Sequence, residues 1–187
     1  AMIIDLRGNG GGLQTLYYPM ASYLFTEDKP AKVRWIDSYE YNAASKRFEL
    51  AGAGPAPMLH SPRPSLAYSG KVIILVDAGT ASSAEFFSQY LQRLGRARVV
   101  AEMGTDGAGG SMRQVLMPNN VIFTYTGGQM FFEGTKEPNI EGKGVKADVR
   151  VPTTLESELA KFAGRDVVLE EAIRILKSEL PKESGSL

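Results

Sequence analysis

Short apolar runs, small-residue turns and amphipathic stretches alternate along this chain. Met2-Ile3-Ile4-Asp5-Leu6 has the length of a buried strand, and Arg7-Gly8-Asn9-Gly10-Gly11-Gly12 follows it. Apolar residues then recur at Leu13, Leu16, Tyr17, Met20 and Leu24, the spacing of one helix face. Pro19 inside that stretch is expected to kink the helix or open a new first turn. The same order returns later: Val72-Ile73-Ile74-Leu75-Val76, then Gly79-Thr80-Ala81-Ser82-Ser83-Ala84-Glu85, then a helical pattern through Phe86, Phe87, Tyr90, Leu91 and Leu94. Aromatic and β-branched residues predict strands over 32–36 and 38–41, with 47–50 as their continuation past 42–45. A Pro- and Gly-rich connection over 51–65 is irregular. Further strands are predicted over 98–101 and 129–132, with a hairpin of 113–116 and 121–125 across 117–120. Residues 137–151 read as a loop ending in a short strand. Thr153 or Thr154 caps a short helix over 155–162, and Asp166 caps a last amphipathic helix through Val168, Leu169, Ala172, Ile173, Ile175, Leu176 and Leu180. Pro181 ends it. Strands interleaved with helices throughout indicate an α/β fold. Residues 2–180 are expected to form one core and 181–187 a flexible tail. The chain opens inside a core strand, so a piece of a larger protein is expected, with the N-terminal part of the core missing.

The two strand–turn–helix units carry the candidate chemistry. The first amides of a helix have no internal partner and can donate to a developing negative charge. A serine placed at such a helix start can act as a nucleophile with an anion site beside it. Consecutive glycines at residues 10–12 permit positive φ and leave backbone amides bare, which suits an oxyanion hole or a phosphate cradle. No Gly-Lys-Ser/Thr follows, so the phosphate-loop pattern is not met, and the dinucleotide fingerprint lacks its later glycine.

Composition narrows the classes. The 187 residues carry 21 basic and 21 acidic side chains, a formal net charge of zero with no basic block, which argues against nucleic acid as a partner. The absence of cysteine excludes disulfides, thiolate metal sites and a cysteine nucleophile. A single histidine, His60, excludes a multi-histidine metal site. No cofactor or metal is therefore expected. No apolar run is long enough to span a bilayer, and no signal peptide is expected within these residues.

The order of motifs resembles the C-terminal processing (tail-specific) serine peptidases. Ile3-Ile4-Asp5-Leu6-Arg7-Gly8-Asn9-Gly10-Gly11-Gly12 is similar to their glycine turn, and Val76-Asp77-Ala78-Gly79-Thr80-Ala81-Ser82-Ser83-Ala84-Glu85 to their nucleophile turn. Gly95-Arg96-Ala97-Arg98-Val99-Val100-Ala101-Glu102 resembles the segment after their nucleophile helix. Ile140-Glu141-Gly142-Lys143-Gly144-Val145-Lys146-Ala147-Asp148-Val149-Arg150-Val151 resembles their last block. The resemblance implies a layered ββα core like that of crotonases and Clp proteases. It implies Ser82 as nucleophile, the serine three positions before the turn's glutamate. It also implies an oxyanion hole of the Ser83 amide with Gly12, or failing that Gly11. The best-known branch of the family places a catalytic lysine in a loop that here falls on Gly107, and residues 104–111 hold no lysine. The tricorn-like branch instead uses a Ser–His–Ser–Glu tetrad; its glutamate matches Glu141, and its histidine and first serine lie upstream of the glycine turn. On this reading the general base is missing from these 187 residues, and the piece alone is inactive.

The resemblance further implies a protein or peptide substrate, leaves a homo-oligomer open, and favours a periplasmic or secreted bacterial protein over a cytoplasmic one. Asp5 and Arg7 are expected to hold the glycine turn, Asp106 and Asp148 to be turn residues, and the Ser83 side chain to cap its helix. The alternative is a non-catalytic module on the same fold, binding an apolar ligand or a peptide. The missing base and the aromatic residues Tyr17, Tyr18 and Tyr23 motivate it.

Overall fold

The computed structural model describes residues 1–26, 36–53 and 66–179. Residues 32–35 of the strand expected over 32–36, the loop around His60, Leu180 and the tail lie outside them. Elements follow in the order β1 Met2–Asp5, α1 Gln14–Ser22, β2 Ile36–Asn42, β3 Arg47–Ala53, β4 Val72–Leu75, α2 Ser83–Arg93, β5 Arg98–Ala101, β6 Met112–Leu116, β7 Ile122–Thr126, β8 Gly128–Phe132, β9 Val149–Arg150, α3 Leu155–Phe162 and α4 Val167–Glu179.

The core is a parallel sheet in the order β1-β4-β5-β9. It is built from continuous apolar runs because it is covered on both faces. Side chains alternate across it. Val72, Ile74, Val76, Val99 and Ala101 join Tyr17, Ala21, Phe86, Phe87 and Tyr90 of α1 and α2. Ile73, Leu75 and Val100 point the other way, onto Val168, Ala172, Ile175 and Leu176 of α4. A three-stranded antiparallel sheet, β3-β2-β8, joins the first of these layers through Ile36, Met130 and Phe132. The Arg93 guanidinium lies 3.8 Å from the Phe132 ring centroid and ties α2 to β8. Among the described residues β6 and β7 pair only with each other, and every residue of both strands is exposed.

The strand and helix expectations over the described residues hold, with corrections. Residues 47–53 do not prolong the preceding strand but fold back on it as an antiparallel partner. Pro19 opens no new first turn; α1 runs through it. The expected inward stripe of α1 is also revised. Tyr17, Ala21 and Leu24 are buried, whereas Leu13, Leu16 and Met20 are exposed. Ile173 on α4 is likewise partly exposed. Thr154, not Thr153, caps α3, its hydroxyl accepting from Ser157 N–H. The Asp166 carboxylate accepts from Leu169 N–H at 3.0 Å and so caps α4. No helix among the described residues is long and apolar enough to cross a membrane.

Candidate active site

Parallel pairing of β1 with β4, Met2 opposite Val72 through Asp5 opposite Leu75, brings the turns after both strands to one edge of the sheet. That edge, at the strands' carboxyl ends, is where open α/β sheets present their sites. The turns are laced together. Gly8 N–H donates to Asp77 Oδ1 at 2.9 Å, the Thr80 hydroxyl donates to Leu6 O at 2.8 Å, and Ala81 N–H donates to Asn9 O at 3.0 Å. The Ser83 hydroxyl donates to Gly12 O at 2.6 Å. The Ser83 side chain therefore binds the two turns to each other and does not cap its own helix, because the carbonyl of Gly12 lies within its reach.

Glycine is required at residue 11 by this approach. A Cβ there would lie 2.6 Å from Ala81 O, 2.7 Å from Ser82 Cβ and 2.7 Å from Ser83 N, at a φ of +89°. Gly12 differs: at φ +146° its missing side chain faces open space. The Gly11 N–H is taken up by Asn9 Oδ1 at 3.0 Å. Among the described residues no hydrogen bond engages the Gly12 or Ser83 N–H, so both remain able to donate.

Ser82 stands at the head of α2, half-buried, with φ 54° and ψ −123°. A non-glycine residue at such angles is strained and persists only where its surroundings hold it. Serine nucleophiles on sharp strand-to-helix turns share this feature.

A third loop, residues 104–111, closes the edge. Two carboxylates divide the amides of residues 107–109. The side chain of Glu85, on the first turn of α2, accepts from Gly107 N–H at 2.7 Å, from Ala108 N–H at 3.0 Å, from the Thr105 hydroxyl, and from Ser82 N–H at 2.8 Å. Glu141 Oε2 accepts from the next amide, Gly109 N–H, at 2.8 Å. Glu141 is half-buried and held, not a freely solvated loop side chain. Gly142 N–H donates to Gly107 O at 2.8 Å and closes this arrangement. A Cβ at Gly107 would lie 3.0 Å from Gly144 N, 3.1 Å from Lys143 N and 3.3 Å from Gly142 C.

Arg7 braces the glycine turn from the other side. Its guanidinium donates to Asp5 at 2.9 and 2.6 Å and to Asp166 at 2.9 and 2.7 Å. Hydrogen bonds from Arg7 hold both carboxyls below the usual aspartate range. Asp5 and Arg7 thus serve the turn as expected, and Asp148 accepts from Val99 N–H at 2.7 Å in a structural role. Neither Asp166 as the second partner of Arg7 nor Glu85 as a hub was anticipated from the sequence. The Ser82-x-x-Glu85 spacing, a capping-box pattern, carried a signal for the second. Among the described residues no group of His, Cys, Asp and Glu could hold a metal ion.

Comparison with known proteins accords with this geometry. The model of Peptidase family S41 matches residues 1–151. The fold is shared with the crystal structure of a candidate peptidase from Parabacteroides merdae ATCC 43184, at 22% identity and a TM-score of 0.68, covering 99% of this chain and 54% of that one. It is shared with mature CPAF complexed with lactacystin, at 19% identity and a TM-score of 0.65, covering 95% and 44%. The tricorn protease follows at 20% identity and a TM-score of 0.55, covering 95% of this chain and 15% of that one. The chain thus spans between 15% and 54% of the length of these solved proteins.

Proposed function

The chain belongs to peptidase family S41, and from that premise we propose that the protein is a serine endopeptidase with Ser82 as its nucleophile. Ser82 Oγ attacks the carbonyl carbon of a peptide bond. The oxygen that becomes negative is received by the Gly12 and Ser83 amides, neither of which donates a hydrogen bond among the described residues. Gly11 is left a packing role, since Asn9 already holds its N–H. The C–N bond then breaks, the amine leaves with the proton taken from Ser82, and water releases the acyl group from Oγ. A histidine from outside these 187 residues carries that proton, as in the tricorn-like branch, with Glu141 orienting it through a second serine. The tail-specific preference and a periplasmic or secreted location rest on the motif resemblance alone.

The observation that carries the proposal is the close seating of the Gly11–Gly12 turn on a strained Ser82. The test is covalent labelling of full-length protein by a fluorophosphonate, read as intact mass, with Ser82→Ala as control. Labelling lost in the control, together with a fall in peptidase turnover of roughly a million-fold, is the expected result. A binding module remains the second reading, favoured by the exposed Leu13, Leu16 and Met20 immediately after Gly12. It is the better one if full-length protein is inert to the probe and binds an apolar ligand.

A further inference from the structure

Glu85 is completely buried, and its surroundings are unusual for a carboxylate on the first turn of a helix. No basic side chain pairs with it among the described residues. Its two oxygens instead receive four donors from two separate segments of chain: the Ser82 amide, the amides of Gly107 and Ala108, and the Thr105 hydroxyl. The segment on the far side is itself doubly anchored. Thr105 Oγ1 accepts from Val145 N–H at 2.7 Å, Thr105 N–H donates to Val145 O at 3.2 Å, and Gly109 N–H reaches Glu141 at 2.8 Å. A continuous run of bonds therefore leads from the Ser82 backbone through Glu85 and residues 105–109 to Glu141.

Two consequences follow from elementary chemistry. First, the strain at Ser82 needs a local restraint, and the bond from its N–H to Glu85 is one applied at the residue itself. Second, a buried carboxylate accepting four bonds is costly to disturb, because each donor it loses is left unpaired away from water. Such a group behaves as a rigid spacer. We propose that Glu85 is a positioning residue for the reaction, fixing the distance and orientation of Ser82 relative to Glu141. This inference rests on the peptidase reading and adds to it. Glu85 touches no reacting atom; it acts through the Ser82 backbone on one side and the 105–109 loop on the other.

The test uses full-length protein and separates positioning from folding by titrating active sites. Glu85→Gln keeps shape and size but presents an NH2 where an oxygen accepted. The expected result is a turnover per titrated site lower by about 100-fold, the scale on which a small misplacement acts, with KM changed by less than about threefold. Glu85→Asp, which keeps the carboxyl group and shortens the reach, is expected between the unsubstituted protein and Glu85→Gln, lower by about tenfold. If Glu85→Gln does not fold, the aspartate variant decides on the same readout. Unchanged turnover per titrated site, with fewer titratable sites in proportion to the folded fraction, would mean that Glu85 only stabilises the fold, and overturns the proposal. Failure of the unsubstituted protein to react with the probe overturns the peptidase reading itself, and this inference with it. Labelling of the unsubstituted protein with normal per-site turnover in both variants overturns this inference alone.

Discussion

Neighbouring glycines with the same residue type do different work here. Gly11 is sterically forced, since a Cβ would strike the Ser82–Ser83 backbone, while Gly12 is constrained only by its backbone angle. Gly11→Ala combines overpacking with a strained φ, and should lower unfolding free energy by about 2–5 kcal/mol. Gly12→Ala carries the conformational cost alone, about 1–3 kcal/mol. Urea unfolding of the two variants should keep that order. An equal loss in both would mean that the close approach of the turns is not maintained in solution. Probe labelling should fall much further in Gly11→Ala, because its new methyl displaces the nucleophile turn itself.

Elements meet at this site through charge as well as packing. Arg7 links the end of β1 to the N-terminus of α4 by way of Asp166. Both aspartates titrate below the ordinary value of 3.8, chiefly through hydrogen bonds from Arg7, and Arg7 is raised chiefly through Asp5 and then Asp166. A depressed carboxyl pKa contributes stability that is fully present above 3.8 and is lost as pH falls through the lowered folded values. Side-chain exposures of 25% for Arg7, 49% for Asp5 and 37% for Asp166 leave these pairs open to solvent screening. Each is therefore worth about 1 kcal/mol or less. Urea midpoints should drop as pH is lowered from about 5 to about 2.5, and Arg7→Met should flatten that drop. A slope that Arg7→Met leaves unchanged would assign the acid sensitivity to other carboxylates.

Across the whole molecule, burial is uneven. Phe86 lies in the layer between α2 and the parallel sheet at 1% exposure, whereas Phe123 on the β6–β7 ribbon is 56% exposed. Phe86→Ala should cost about 3–5 kcal/mol. Phe123→Ser should change stability by no more than about 0.5 kcal/mol, as a surface substitution does. Calorimetry of the two variants checks this contrast. A large loss from Phe123→Ser would show that the ribbon is covered in solution, a sign that its apolar surface is an interface.

Much of this protein was legible in order along the chain. Apolar periodicity marked most of the strands and helices, and cap residues such as Asp166 marked helix starts, because those signals act within a few residues of each other. The two small-residue turns and the position of Ser82 at a helix start were also local properties. Which face of α1 turned inward was not. Leu13, Leu16 and Met20 are as apolar as the buried residues beside them, and only packing against α2 and the sheet selected Tyr17 and Ala21. Nor could local pattern distinguish Gly11 from Gly12, join Arg7 to Asp166, or give Glu85 its three donors from residues 105–108. Those relations depend on the parallel register of β1 with β4 and on the return of residues 104–111 to the same edge. Segments far apart in sequence meet there, and hydrogen bonding and steric exclusion act only at contact.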